Sequence, residues 1–140
     1  MDWIELALQI HLISTVFMAG LCWFVQVVHY PLMERVDFGG WDNYQKGHTA
    51  RTSLVVVPAM LTELGTGTLL VWAEWGNVLF LLNYAALVVI WLSTFLIQVP
   101  IHNHLLVGWD SRQHAKLVQS NWIRTILWSL RTILLFLIVF

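Results

Sequence analysis

Charged residues are scarce in this sequence. Only 11% of its 140 residues are Asp, Glu, Lys or Arg, whereas soluble domains usually carry about 25%. Hydrophobic residues make up 59% of the chain, and a soluble protein of this composition would expose large apolar patches. The shortage of charge therefore favours an integral membrane protein over a soluble domain.

Basic charge and cysteine are also in short supply. Seven Lys and Arg residues against eight Asp and Glu give a formal net charge of −1, so the sequence lacks the basic footprint of a nucleic-acid-binding protein. The one cysteine, Cys22, excludes a disulfide framework. Because it lies in an apolar stretch, we interpret it as a small buried hydrophobe. No internal repeat is evident, so we expect one domain over residues 1–140.

Long apolar runs are what the sequence has instead. About 20 apolar residues are needed to span a bilayer, and four such runs occur, at residues 4–28, 53–73, 78–99 and 120–140. Nine tryptophans, many near the ends of these runs, are typical of membrane–water interfaces. Asp2 and Glu5 at the front of the first run argue against a signal peptide. We predict an all-α fold, an integral membrane four-helix bundle with short connections.

Prolines and glycines mark the expected helix ends and contacts. Pro31 and Pro100 follow the first and third runs, and proline cannot continue the hydrogen bonds of an α-helix. We therefore expect these two helices to end there, with residues 32–52 forming a polar connection that includes a short interfacial helix. Gly65 and Gly67 lie in the second run and are expected to allow close approach of a neighbouring helix.

The distribution of basic residues predicts the orientation in the membrane. Six of the seven Lys and Arg residues lie in the first and third connections or at the helix starts that follow them, namely Arg35, Lys46, Arg51, Arg112, Lys116 and Arg124. Cytoplasmic loops of membrane proteins carry such an excess. We therefore expect both termini on the non-cytoplasmic side, and we expect the protein in a bacterial inner membrane.

Histidines accumulate on the same predicted side. His29 ends the first run, His48 precedes the second, and His102 and His104 follow the third. Neutral imidazoles from different segments are typical ligands of transition metals, and the rings of His102 and His104 converge if the chain after Pro100 is extended. We predict an iron or copper site with these four histidines as ligands. A haem between His29 and a histidine of the third or second helix, His102 or His48, is one alternative, and hydrogen-bonded interfacial histidines are another.

A second polar layer is predicted deeper in the bundle. Counted from the cytoplasmic side, Glu63 and Arg131 lie at matching depths in the second and fourth spans. An isolated charge at the bilayer centre costs roughly 2.5–3.5 kcal/mol even on a lenient scale, so we predict that the two residues form an ion pair. Such a pair either fixes the register of the helices or lines a substrate cavity, and the sequence leaves both roles open.

Short motifs in the last third of the chain point to a family. Val99-Pro100 ends the third run, His102 follows two positions later, and Asn121-Trp122-Ile123-Arg124-Thr125 opens the fourth. This arrangement, within residues 98–131, resembles the small four-span membrane proteins related to anthrone oxygenases, in which asparagine is more usual at the position of His102. The resemblance implies membrane-embedded oxidation of an aromatic or lipophilic substrate.

The combined prediction is an oxidoreductase or oxygenase that takes a lipophilic small molecule from the membrane lipids, laterally between helices. His48 would act as a metal ligand or acid–base group, and Asn121 and Arg124 would orient an anionic or carbonyl oxygen. Glu63 and Arg131 would shape the floor of the cavity. Two other classes stay open: a transporter or channel module with Glu63–Arg131 as its permeation site, which would require a homo-oligomer, and a non-catalytic subunit of a larger membrane complex.

Overall fold

Four long helices make up nearly all of the computed structural model, which describes residues 2–140. They are α1 (Trp3–Met33), α2 (Phe38–Ala73), α3 (Val78–Leu105) and α4 (Ser111–Val139). Each is long and apolar enough to cross a membrane. The prediction of an all-α fold with four helices of membrane-spanning length is therefore confirmed.

Successive helices run in opposite directions around the bundle. α1 packs against α2 and α4, and α3 packs against the same two helices. At one end, Ile4 and Ile138 flank a cluster of Ala7, Leu70 and Phe80; we call this the terminal end, because α1 begins and α4 ends there. The opposite end, here called the histidine end, is closed by the core residues Tyr30, Met33, Trp41, Ile101, Leu105 and Leu117.

The connection between α1 and α2 is much shorter than the sequence suggests. Residues from Trp41 to Ala73 form one continuous α-helix, so the expectation of a separate interfacial helix within residues 32–52 is wrong. Trp41 is buried and donates a hydrogen bond from Nε1 to the Leu105 carbonyl at 2.9 Å. Gln45 is buried one turn later. Packing against the last turn of α3 therefore stabilises the first turns of α2 as a helix, although their polar composition predicts a connection.

The prolines do not end α1 and α3, contrary to expectation. A π-helical turn precedes each of them, Val25–His29 before Pro31 and Thr94–Gln98 before Pro100. In these turns the N–H of the following residue bonds to the carbonyl five positions back. The wider turn leaves room for a pyrrolidine ring that would collide with the carbonyl of a regular α-helix. Both helices therefore continue past their prolines.

At Gly67, side chains of α1 and α3 pack directly against the backbone of α2. A Cβ atom at this position would lie 3.0 Å from Cε1 of His11 and 3.3 Å from Cδ2 of Tyr84. At Gly65, by contrast, nothing in the described part of the chain lies within 4 Å. The expectation of a close helix contact is confirmed for Gly67 and wrong for Gly65.

The two glycines form a matched pair for mutagenesis. Gly67→Ala is expected to lower the free energy of unfolding by about 1–3 kcal/mol, because the added methyl group overpacks the interface. Gly65→Ala is expected to leave stability unchanged or to raise it by up to about 1 kcal/mol through higher helix propensity. Reversible unfolding in mixed micelles measures both values, and equal effects of the two substitutions would contradict the close contact at Gly67.

Candidate functional site

Three of the four predicted ligand histidines meet at the histidine end. Nε2 of His29, from α1, lies 3.0 Å from Nδ1 of His48, from α2, and the two rings stack with centroids 4.7 Å apart. The ring of His102, from α3, lies 5.3 Å from that of His48 between centroids. We call this arrangement of three rings the imidazole row.

His104 does not join the row. Because α3 continues through this stretch, side chains two positions apart point in different directions, and the expected convergence of His102 and His104 is wrong. Nε2 of His104 lies instead 3.2 Å from Oδ2 of Asp110, the residue that caps α4. Hydrogen bonds from the backbone N–H groups of Gln113 and Arg112 hold the pKa of the Asp110 carboxyl below its ordinary value.

Hydrogen bonds hold His102 on both sides of its ring. Gln45 Nε2 donates to Nδ1 at 3.2 Å, which leaves the imidazole proton on Nε2. That nitrogen lies 3.2 Å from the hydroxyl oxygen of Tyr30 and donates to it, so the Tyr30 hydroxyl keeps its own hydrogen for another partner. Oε1 of Gln45 is buried without a partner in the described chain, so a half-turn of the amide would let Oε1 accept Nδ1–H and would free Nε2 to accept the Tyr30 proton. In that second arrangement the Tyr30–His102 pair can pass a proton.

Metal binding requires ligand lone pairs that converge on one point, and the imidazole row does not provide them. Within residues 2–140, no group of three His, Cys, Asp or Glu side chains is arranged to hold a metal ion. Both ring nitrogens of His102 are engaged by Gln45 and Tyr30, and the facing nitrogens of His29 and His48 bond each other. As arranged, these residues do not fit the predicted iron or copper site.

A haem fits no better. Binding by His29 and His102 would require the porphyrin to lie between the two rings. The ring of His48 occupies that space, since it contacts His29 on one side and His102 on the other.

A cavity of about 450 Å³ opens between α2 and α3 beside the row, which is within the range of small-molecule sites. We call it the inner cavity. Its apolar wall is formed by Val56, Val57, Met60, Leu61, Phe95 and Val99. Tyr30 and His102 line it at the histidine end. Because Val57, Leu61 and Phe95 also lie on the outer surface of the bundle, the cavity opens sideways between the helices.

Arg124 lines the inner cavity and makes no salt bridge within the described chain. Its Nε is buried without a partner. Arg124 is only 8% exposed, and its guanidinium carbon lies 5.2 Å from the centroid of the Trp128 ring. The inner cavity therefore presents a largely buried cation to whatever enters it.

Asn121 is not among the side chains that line the inner cavity. Its Nδ2 donates to Oε1 of Gln26 at 3.0 Å, and Gln26 Nε2 donates in turn to the Val118 carbonyl at 3.0 Å. These bonds tie α4 to the π-helical turn of α1. Asn121 therefore joins α4 to α1 next to the site and does not contact a ligand in the inner cavity.

Glu63 and Arg131 form the predicted ion pair, which is confirmed. Arg131 Nη1 lies 2.6 Å from Glu63 Oε1, and both side chains are 0% exposed. The Thr15 hydroxyl donates to the same carboxylate at 2.8 Å. Trp128 Nε1 donates to both of its oxygens, at 3.1 and 3.0 Å.

The remaining nitrogens of Arg131 are also engaged. Nε donates to Asn83 Oδ1 at 3.1 Å, and Nη2 donates to His11 Nε2 at 3.1 Å. Thr66 donates its hydroxyl hydrogen to the Thr62 carbonyl, so it accepts from Nδ1–H of His11 at 2.8 Å. All four helices contribute to this polar network, and its residues do not line the inner cavity. The network ties the helices together and does not form the expected cavity floor.

The imidazole row connects the inner cavity with the outside of the bundle. An open pocket of about 570 Å³ at the histidine end is lined by His29 and His48. A smaller space of about 150 Å³, lined by His48, His102, Thr52 and Ser53 among others, adjoins the gap between the second and third rings. It is large enough for water, whose share of liquid volume is about 30 Å³ per molecule. Protons therefore have a polar route between the open pocket and Tyr30.

The chain matches no protein-family model, no curated protein and no solved structure. The relationship to the anthrone oxygenases therefore stays a prediction from the short motifs described above.

Proposed function

We propose that this protein is a membrane-embedded oxidoreductase that acts on a lipophilic substrate in the inner cavity. It lies in a bacterial inner membrane, with its termini on the non-cytoplasmic side and its histidine end at the cytoplasmic edge. The Lys and Arg residues concentrated at the histidine end support this orientation. The substrate enters from the lipid through the opening between α2 and α3.

The observation that carries the proposal is the meeting of three features in one cavity: an apolar wall, the Tyr30–His102 pair and the Arg124 guanidinium. In the proposed reaction, the amide of Gln45 is turned so that its oxygen accepts Nδ1–H of His102. The Tyr30 hydroxyl then takes a proton from the substrate as it passes its own hydrogen to the free Nε2 of His102, which acts as the base. Arg124 stabilises the negative charge that develops on a substrate oxygen, in a site where few other charges compete. The imidazole row then carries the proton towards the open pocket.

Deprotonation leaves an electron-rich substrate anion, the form that gives up electrons most readily. We propose molecular oxygen as the oxidant, in keeping with the resemblance to the anthrone oxygenases. A metal held by His29, His48, His102 and His104 stays a prediction from the sequence, and it would require these rings to give up their present hydrogen bonds. No step of the proposed reaction depends on it.

The experiment is an oxygen-uptake assay on the purified protein in a neutral detergent, with a panel of lipophilic hydroxyaromatic compounds and ketones. We expect uptake with part of the panel, and we expect His102→Ala to abolish it because the base is lost. His104→Ala is the matched control, since His104 lies on the same helix turn as His102. Within residues 2–140, the His104 side chain hydrogen-bonds to Asp110 and to no residue of the imidazole row. Equal activity of the two variants, or no uptake with any compound, would overturn the proposal.

The transporter alternative finds less support in the geometry. It requires a permeant to reach Glu63 and Arg131, and both side chains are fully buried in a network in which each charged group has its partners. An ion pair of this kind is typical of helix packing.

A further inference from the structure

Arg124 carries a charge that nothing in the described chain balances. No Asp or Glu within residues 2–140 forms a salt bridge with it, and its Nε has no acceptor. Arginine does not escape this situation by deprotonation, because its guanidinium keeps its proton in proteins. Burial of an unpaired charge is unfavourable, so a bound anion would relieve the cost.

The shape of the donors indicates the kind of anion. A planar guanidinium matches the two oxygens of a carboxylate, and Arg124 lines the inner cavity. One free cation balances one negative charge. A monoanion with two acceptor oxygens therefore satisfies Arg124, whereas a neutral carbonyl compound would leave its charge unbalanced.

The walls of the cavity indicate what the anion is attached to. Aliphatic and aromatic side chains form most of the rest of the lining, with Thr52, Ser53, Thr94 and Gln98 among them, and the inner cavity opens sideways between α2 and α3. Arg124 also lies only two helical turns from Arg131 in the buried network, so the charged group of a ligand must enter well inside the bundle. A single apolar chain fits this path, and a two-chain phospholipid headgroup does not.

We propose that the inner cavity binds a single-chain amphiphilic carboxylic acid as its anion, with the carboxylate on Arg124 and the chain along α2 and α3. The carboxylate takes the place at Arg124 that the reaction above gives to a substrate oxygen, so the inference goes beyond the proposed oxidation and makes such an acid a competitor of its substrate. Binding, however, does not depend on turnover and is measured without it.

The test is equilibrium binding of radiolabelled palmitate to the purified protein in a neutral maltoside detergent. We expect saturable binding that unlabelled palmitate competes at least about tenfold better than methyl palmitate, because the ester lacks the charge. Arg124→Gln should weaken palmitate binding by a similar factor and remove the preference over the ester. Trp91→Phe should change it little, since Nε1 of Trp91 is buried and does not face the ligand.

Arg51→Gln is the charge-matched control. Arg51 is exposed and does not line the inner cavity, so palmitate binding should not change. The comparison of acid with ester uses the unaltered protein and holds even where Arg124→Gln fails to fold. Equal competition by acid and ester overturns the inference, and so does stronger competition by phosphatidylglycerol than by palmitate.

The two proposals fail separately. Palmitate binding that depends on Arg124, without oxygen uptake on any compound, overturns the proposed oxidation and leaves the ligand class standing. Oxygen uptake on neutral lipophilic compounds, without selective palmitate binding, does the reverse.

Discussion

Replacement of Glu63 with glutamine is expected to lower the free energy of unfolding by about 3–5 kcal/mol, the cost of breaking a buried ion pair by removing one charge. The guanidinium of Arg131 would stay fully buried with its positive charge unbalanced, since the carboxylate 2.6 Å away is the one that it pairs with. Arg131→Met should cost a similar amount, because it leaves the Glu63 carboxylate without its counter-charge. Reversible unfolding in mixed micelles measures both.

The double variant separates the ion pair from the rest of the network. Glu63→Gln combined with Arg131→Met removes both charges, so its cost should be clearly smaller than the sum of the single costs. Glu74→Gln, in the exposed turn between α2 and α3, should change stability by no more than about 0.5 kcal/mol. A single-variant cost below about 1 kcal/mol at Glu63 would contradict the structural role of the pair.

Replacement of Tyr30 with phenylalanine is expected to reduce oxygen uptake by about 10²–10⁴-fold, the range of a positioned acid–base group. The substitution removes one hydroxyl, the group that lies 3.2 Å from Nε2 of His102 and faces the inner cavity. It leaves the buried ring in the core of the histidine end. The loss should therefore fall on turnover, measured as the maximal rate of uptake with the best compound of the panel.

Tyr84→Phe is the control for the loss of a tyrosine hydroxyl. That hydroxyl lies 3.0 Å from the Thr68 hydroxyl, nearer the terminal end, and its removal should leave uptake unchanged. If Tyr30→Phe keeps full activity while the bundle stays folded by circular dichroism, Tyr30 takes no part in proton transfer.

The number and order of the helices could be predicted because hydropathy over a long run dominates every local signal. The helix ends could not. Pro31 and Pro100 are read from the sequence as stops, and the π-helical turns that accommodate them have no sequence signature of their own. Likewise, the first turns of α2 are polar in composition, and only the burial of Trp41 and Gln45 against α3 explains why they are helical.

The deep ion pair could be predicted from a count of depth, because a charge in an apolar helix needs a partner at its own level. His29, His48 and His102 could be brought to one end by the same topology. Whether these histidines bind a metal or hydrogen-bond to one another could not be inferred, since the same three residues could do either. That distinction depends on ring orientation, which the contacts of Gln45 and Tyr30 decide.

Tyr30, Gln45 and Trp91 are the residues at the site that the sequence did not single out. Tyr30 lies between His29 and Pro31, and this run of polar side chains next to a proline is the sequence signal that could have identified it. Gln45 lies in a stretch that was expected to be a connection, and Trp91 resembles the other tryptophans of the apolar runs. Their roles follow from burial beside a cavity, which no local pattern records.

The two π-helical turns have a mechanical consequence for the site. Each takes one extra residue into its helix, which rotates every later side chain by about 100° relative to a regular α-helix. Tyr30 and His102 both follow such a turn. The π-helical turns therefore decide on which faces of α1 and α3 the two reacting groups lie, independently of the faces that the ion-paired half buries.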